Sequence, residues 1–238
     1  MNTVCKTISI IIPVYNEEQF IEEVIKRVSN SDTMGLIKEI IVIDDCSIDQ
    51  SWQKISGLSS SIQIIKFRKN INGGKGSAIR KGISLASGDI ILIQDADLEY
   101  NPKEFPTLLE PIINGNADVV YGSRFKTSKS NRVLYFWHRV ANGILTILSN
   151  MFTNLNLTDM ETGYKVLRKE IIDSLILCEN SFTIEPEITA KIAKIKKVKI
   201  FEVGISYYGR TYDEGKKIGL KDAFLAVFTI LKYGIFKK

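Results

Sequence analysis

The sequence predicts an α/β fold: a mainly parallel, twisted sheet with helices on both faces, followed by amphipathic helices toward the C-terminus. Three observations predict it. Short Ile- and Val-rich runs recur at residues 8–14, 40–43, 62–67, 90–93 and 119–121. Stretches with helical periodicity lie between them. The first, second and fourth runs are almost continuously apolar, as strands buried on both faces must be.

Taken in order, the first run leads into Pro13-Val14-Tyr15-Asn16-Glu17-Glu18, and Phe20, Ile21, Val24, Ile25 and Val28 then form a helical stripe. The second run ends in Asp44-Asp45-Cys46-Ser47-Ile48-Asp49. After the third, Asn72-Gly73-Gly74-Lys75-Gly76 opens a helix whose stripe is Ala78, Ile79, Ile83 and Ala86. The fourth ends in Gln94-Asp95-Ala96-Asp97-Leu98-Glu99. Past Gly122 the alternation stops. Residues 133–155 carry apolar side chains at 133, 137, 140, 144, 148, 151 and 155, with Arg139, Asn142, Thr146, Asn150 and Thr153 on the other side, which is an amphipathic helix or two. Residues 220–236 form a more hydrophobic helix ending in Lys237 and Lys238. No Pro/Gly/Ser-rich linker intervenes, so residues 1–219 are expected to be one domain, with 133–157 on its acceptor or interfacial side and 220–238 a C-terminal helix.

Composition narrows the class. The 238 residues are 45% hydrophobic and 25% charged, which excludes disordered and collagen-like chains. A chain of this length buries about 70–75% of its unfolded surface and needs no disulfide or structural metal. Cys5, Cys46 and Cys178 are odd in number and form no CxxC pair, which fits a reducing compartment. His138 is the single histidine, so a multi-histidine metal site is excluded. Its place beside Arg139 suits a structural or interfacial role. Residues 1–7 run directly into a strand, so no signal peptide is expected, and neither hydrophobic helix is long and apolar enough to span a bilayer. Charge is segregated: residues 1–190 net −3 and residues 191–238 net +8. Residues 119–158 contain Arg124, Lys126, Lys129, Arg132 and Arg139 and no acid. That pattern suits a phosphate-rich partner or an anionic membrane. Acidic strand ends argue against nucleic acid.

Ligands of open α/β sheets bind at the carboxyl ends of the strands, and here three of those ends are acidic. In an extended segment Asp95 and Asp97, and with them Glu99, would face one point, a hard-oxygen set suited to Mg²⁺ or Mn²⁺. The glycines at 73, 74 and 76 either let the backbone approach a phosphate or simply make a strand-to-helix turn.

At this point the motifs resemble a family. ISIIIPVYNEE (8–18), VIDDCSIDQS (42–51), NGGKG (72–76), QDADLE (94–99) and Gly122-Ser123-Arg124 are similar to the inverting GT-A glycosyltransferases of family 2. DMETGYKVLR (159–168) and GRTYDEGKKI (209–218) resemble the branch that makes polyprenyl-phosphate sugars, the dolichyl-phosphate mannose and glucose synthase type. The resemblance implies a GT-A fold and a UDP- or GDP-hexose donor. It also implies a polyprenyl phosphate acceptor, a divalent metal, and a place on the cytoplasmic face of a membrane. It implies that Pro13, Tyr15, Glu17 and either Asp44 or Asp45 hold the nucleoside. Lys75, Ala96, Arg210 and Lys216 join Asp95 and Asp97 around the donor, and Asp95, Asp97 and Glu99 sit at the metal. Arg124 and Arg139 would meet the acceptor phosphate. Two departures stand out: Glu99 where mannosyl members commonly carry Gln, and Thr183 where some carry a phosphate-binding Lys. Glu185 and Glu187 are then candidates to face the sugar hydroxyls.

An anionic phosphate acceptor needs orientation more than deprotonation. A hydroxyl acceptor, on a glycan or glycolipid, would need a general base, for which Asp159 is the candidate. A nucleotidyltransferase should instead show a Gly-rich, Lys/Arg-bearing loop after its first strand, which is absent here.

Overall fold

The computed structural model describes residues 5–59, 62–126, 131–133, 135–210 and 220–236. The strands are β1 (Thr7–Val14), β2 (Ile37–Asp44), β3 (Gln63–Arg68), β4 (Ile90–Ile93), β5 (Val119–Ser123), β6 (Lys165–Arg168) and β7 (Ile200–Gly204). The helices are α1 (Ile21–Ser29), α2 (Ser51–Gly57), α3 (Lys75–Leu85), α4 (Phe105–Ile113), α5 (Phe136–Thr153), α6 (Lys169–Asp173), α7 (Ile184–Ile192) and α8 (Leu220–Leu231), the last continuing into a π-helical turn, Lys232–Phe236.

The strands form one seven-stranded sheet in the order β3-β2-β1-β4-β6-β5-β7. Every neighbouring pair is parallel except those made by β6, which runs antiparallel to both β4 and β5. That reversal matters for the site. The carboxyl ends of β1, β2, β4 and β5 share one edge, and β6 begins there, so the segment before it is delivered to the same edge.

Both faces of the sheet are covered, which explains the unbroken Ile/Val runs. Ile8, Ile10 and Ile12 pack with Ile21, Val24 and Val28 of α1 and Phe105, Leu108 and Leu109 of α4. Ile11, Ile41, Ile43, Ile91 and Ile93 face the other way, onto Ala78 and Ile79 of α3 and Ile184 and Ile188 of α7. All five strands expected from the sequence are present, within a few residues of their expected bounds. β6 and β7 were not anticipated.

Among the described residues, the region 133–155 contains one helix, α5, with part of its apolar side exposed. Leu145, Thr146 and Ser149 are its buried residues. Asn142, Thr146 and Asn150, on the polar side, bond to the domain: Asn142 Nδ2 donates to Asp159, Thr146 Oγ1 accepts from Met160 N, and Asn150 exchanges hydrogen bonds with the backbone of Leu157. Part of the apolar stripe faces outward, with Trp137 and Met151 each 74% exposed and Ile144 58%, while Leu148 and Leu155 pack against the core. Helix α8 contacts α5 and adds Phe224 at 75% and Phe228 at 65% exposure. None of the described helices is long and apolar enough to cross a membrane.

Helix α3 is drawn close to β1 at Gly82, where a Cβ would lie 2.3 Å from Ile11 Cγ2. This close approach fixes the height at which the N-terminus of α3 presents Lys75 to the sheet edge. Gly82→Ala is therefore expected to overpack the core and destabilise the fold by about 1–3 kcal/mol, read as a lowered denaturant midpoint with unchanged slope.

Candidate active site

The loops after β1 and β2 are tied together before any ligand is considered. Asn16 and Cys46 both adopt left-handed backbone, at φ 51° and 62°. Asn16 N donates to Ser47 Oγ, and Ile48 N donates to Asn16 Oδ1. Glu17 N donates to Ser51 Oγ. Backbone held in this sparsely populated region persists only where its surroundings enforce it, and such positions cluster at functional sites.

The two aspartates of the second loop have different work. Asp45 accepts from Gly73 N at 3.1 Å and Gly74 N at 2.6 Å and pairs with Lys69. Of the two sequence alternatives for 72–76, the amides of Gly73 and Gly74 thus serve the turn. Asp44 is fully buried. Its Oδ2 accepts from Ser47 N and lies 3.4 Å from Arg68, while its Oδ1 has no hydrogen-bond partner. Pro13, next to last in β1, is in register with Ile43, and Tyr15 stands partly exposed just beyond the strand.

The chain after β4 is not extended. It bends at once, and Asp97 Oδ1 accepts from Glu99 N within the turn. The alternation that would aim Asp95, Asp97 and Glu99 at a single point is therefore absent. Asp95 turns to Lys75, at 2.8 Å. Asp97 and Glu99 turn to Arg210, whose guanidinium also meets Glu17: 2.9 Å to Asp97, 3.3 Å to Glu99 and 3.2 Å to Glu17. Tyr207 Oη donates to Glu99 as well. One arginine thus joins carboxylates from the β1 and β4 loops. Burial, with repulsion from Glu99 and Asp95, pushes the Asp97 carboxyl up to about 8 against the pull of Arg210.

Lys75, at the start of α3, is held by Asp95 and by Glu185 of α7, the latter at 3.0 Å. Despite burial, those two carboxylates raise its affinity for the proton well above that of an ordinary lysine. Glu185 also pairs with Lys165, the fully buried first residue of β6. Gly163 lies tight against Asp95, where a Cβ would come within 2.3 Å of Oδ2. Glu187 is placed elsewhere: it accepts from the amides of Cys178 and Glu179 and pairs with Lys191, so it braces the segment before α7 and is not at the sheet edge. Thr183 Oγ1 donates to Glu179.

On the far side, Arg124 leaves β5 and makes a two-pronged ion pair with Asp159, Nε–Oδ2 and Nη2–Oδ1 both 2.7 Å. Arg124 N also donates to Asp159, and Thr158 N and Asp159 N are fixed by Glu202 of β7. Burial alone would raise the Asp159 carboxyl; Arg124 outweighs it and holds the group below the usual carboxylate range. Arg124 and Arg139 both approach the ring of Phe125, Arg139 at 3.7 Å and Arg124 at 5.5 Å from its centre. Lys216 lies outside the described residues.

Among the described residues, no group of three or more His, Cys, Asp or Glu side chains is arranged to hold a metal ion. The donor chemistry nevertheless fits one. Mg²⁺ and Mn²⁺ bind through one or two carboxylates plus phosphate oxygens, and Asp97 has the carboxylates of Glu99 and Asp95 close enough to raise its proton affinity. Lys165, Tyr207, Glu161 and Glu202 went unnoticed in the sequence. Only Lys165 and Glu161, inside the 159–168 motif, carried a local signal.

The Arg124–Asp159 pair generates a stability prediction. A carboxyl held low in the folded state stabilises above its unfolded value near 4, and that contribution is lost as pH falls through the folded value. Asp159→Asn leaves Arg124 buried without its counter-charge and should destabilise by about 3–5 kcal/mol at pH 7. In denaturant titrations the gap from wild type should narrow below pH 4, and a gap that stays constant with pH would count against the assignment.

The sequence profile of Glycosyl transferase family 2 matches residues 9–176. The dolichol-phosphate mannosyltransferase of Pyrococcus furiosus is 34% identical over 214 residues, 89% of this chain and 60% of that protein. An undecaprenyl-phosphate 4-deoxy-4-formamido-L-arabinose transferase of Aeromonas hydrophila is 29% identical over 90% of this chain and 64% of its own length. The chain thus spans less than two thirds of these relatives. Among solved structures, glucosyl-3-phosphoglycerate synthase of Mycobacterium tuberculosis, in complex with Mn²⁺, UDP and phosphoglyceric acid, superposes with a TM-score of 0.72. It is 21% identical, and the match covers 97% of this chain and 79% of the other, a likeness of fold. The sheet with its one reversed strand, the acidic carboxyl edge and the profile match agree: this chain has the GT-A fold and belongs to glycosyl transferase family 2.

Proposed function

We propose that this chain transfers a hexose, with inversion, from a UDP- or GDP-linked donor to a polyprenyl phosphate at the cytoplasmic face of a membrane. Residues 1–219 would form the transferase and 220–238 a second membrane-facing helix. The observation that carries this reading is the orientation of α5. Its polar side meets the site through Asn142 and Asp159, and Trp137, Ile144 and Met151 of its apolar side are exposed. A helix so placed lets a phosphate reach Arg124 and Arg139 while the attached chain stays in an apolar phase.

Pro13, Tyr15, Glu17 and Asp44 would hold the nucleoside. Asp44 is preferred over Asp45 because it has an unpartnered oxygen to accept from the base. Lys75, Asp95, Ala96, Asp97 and Arg210 would line the diphosphate, and Lys216 is proposed with them. Asp97, with Glu99 or Asp95, would hold Mg²⁺ or Mn²⁺, which when bound offsets charge on the leaving diphosphate. A phosphate oxygen of the acceptor attacks the anomeric carbon, the bond from that carbon to the diphosphate oxygen breaks, and the nucleoside diphosphate departs with the electron pair. No proton need be removed. A hydroxyl acceptor with Asp159 as base fits less well, because both Asp159 oxygens already accept from Arg124. The relatives named for transfer to dolichol and undecaprenyl phosphate point the same way.

The direct test offers UDP-glucose and GDP-mannose to the protein with undecaprenyl phosphate in detergent and follows label into the organic phase. Label should move with Mg²⁺ and not in excess EDTA, and Asp97→Ala should lose at least ~10²-fold, roughly 3 kcal/mol. Transfer to a free sugar and not to the lipid would sink the acceptor assignment.

The membrane part is tested separately. Contiguous exposed apolar surface on α5 and α8, flanked by Arg132, Arg139, Lys221, Lys237 and Lys238, describes an interfacial attachment. Each cation near an anionic surface adds about 1 kcal/mol, screened by salt. The protein should sediment with phosphatidylglycerol liposomes at low salt, partly release at high salt, and lose binding when Trp137 and Phe228 are both changed to Ser. A wild type that stays in the supernatant throughout would count against attachment.

A further inference from the structure

Three buried side-chain oxygens among the described residues have no hydrogen-bond partner: Asp44 Oδ1, Glu161 Oε1 and Glu185 Oε1. All three belong to the site edge. Asp44 is answered by a nucleobase in the reading above, and Glu185 Oε1 lies 3.0 Å from Lys75 in an ion pair. Glu161 has no such explanation.

Its position is tightly built. Lys165 Nζ donates to the carbonyls on both sides of it, Met160 O at 3.1 Å and Thr162 O at 2.5 Å. Thr162 Oγ1 is tied to Gly122 O, and Met160 N to Thr146 Oγ1. Met160 and Thr162 are fully buried. Glu161 therefore sits at the apex of a clamped turn. On one side stands the closed pair Arg124–Asp159, on the other the closed group Lys75–Asp95–Glu185–Lys165. Each cation there already has a carboxylate, so Glu161 is the surplus charge between them. Burial first, then repulsion from Glu185, pushes its carboxyl up to about 7.

A carboxylate oxygen buried without a donor, as Glu161 Oε1 is, destabilises the unliganded fold. A ligand that supplies donors removes that penalty. Diphosphate and acceptor phosphate bring only acceptors and negative charge, which Glu161 would repel. A hexose brings neutral hydroxyl donors, and the space between the donor-side lysine group and the acceptor-side arginine is where a sugar in transfer must lie. We propose that Glu161 is a specificity-determining residue whose carboxylate accepts a hydrogen bond from a hydroxyl of the transferred sugar. This rests on the nucleotide-sugar reading above.

The test is calorimetric titration of the full chain with Mg²⁺, using UDP-glucose, GDP-mannose, UDP and GDP as probes. Wild type should bind one nucleotide sugar more tightly than its own bare nucleoside diphosphate. Glu161→Gln and Glu161→Ala should each weaken that sugar nucleotide, the Ala variant by about tenfold or more, and leave the bare diphosphate within twofold. Without ligand, Glu161→Gln should melt above wild type, an effect a merely structural role would reverse. Monodeoxy-hexose donors close the cycle with wild-type protein: the one lacking the bonded hydroxyl should bind weakly to wild type and suffer no further loss in Glu161→Ala. Undiminished sugar-nucleotide binding in both variants overturns the proposal alone, as does equal loss of sugar nucleotide and bare diphosphate. Failure of wild type to bind any of the four probes overturns the donor reading as well.

Discussion

Carboxylates brought to one edge of a buried sheet repel one another, and cations from distant segments must offset most of that charge before the chain can close. That constraint organises this protein. Glu17, Asp97 and Glu99 share Arg210; Asp95 and Glu185 share Lys75; Glu185 also takes Lys165; Asp159 takes Arg124. The cations come from α3, β5, β6 and the segment after β7, so the electrostatic balance is also the tertiary structure of the site. Such pairs contribute little to stability beyond an apolar alternative, yet breaking one leaves an uncompensated buried charge. Under the proposed function, a diphosphate, a phosphate and a metal ion would be the charges that exchange into these networks.

Much of this was legible in the sequence. The first five strands were readable because burial on both faces makes a run such as IIVI, residues 40–43, continuously apolar. β6 was not, because KVLR is four residues long and begins and ends on cations that act inside the protein, Lys165 at the site and Arg168 against the Ile112 and Ala117 carbonyls. β7 carries Glu202 in its middle for a similar reason, as the anchor of Thr158 and Asp159. Where a charged residue has a buried partner far away in the chain, local hydropathy reports the opposite of burial.

Helix α5 shows a different limit. Periodicity identifies which residues share a side of a helix and is silent on which side turns inward. Asn142, Thr146 and Asn150 lie on the polar side in the sequence, and the structure shows that this side bonds to the domain, at Asp159, Met160 and Leu157. The acidic motif between β4 and α4 was likewise identified correctly as a cluster, while its geometry was not. A turn closed by Asp97 and Glu99 N replaces the extended segment and divides the carboxylates between two cations.

The reversed strand has a consequence for how the protein is made. β4 and β5 are never neighbours; β6 lies between them, and it is the last element to arrive in the middle of the sheet. Until residues 165–168 emerge during synthesis, β4 and β5 each present an unpaired edge, and no backbone ladder joins β5 to the β3-β2-β1-β4 part of the sheet. Exposed edges of that kind are where nascent chains pair wrongly. Insertion of β6 seals both edges in one event. The same strand brings Lys165 to the edge, where Glu185 of α7 and Arg210, both later in the chain, then complete the charge pairing.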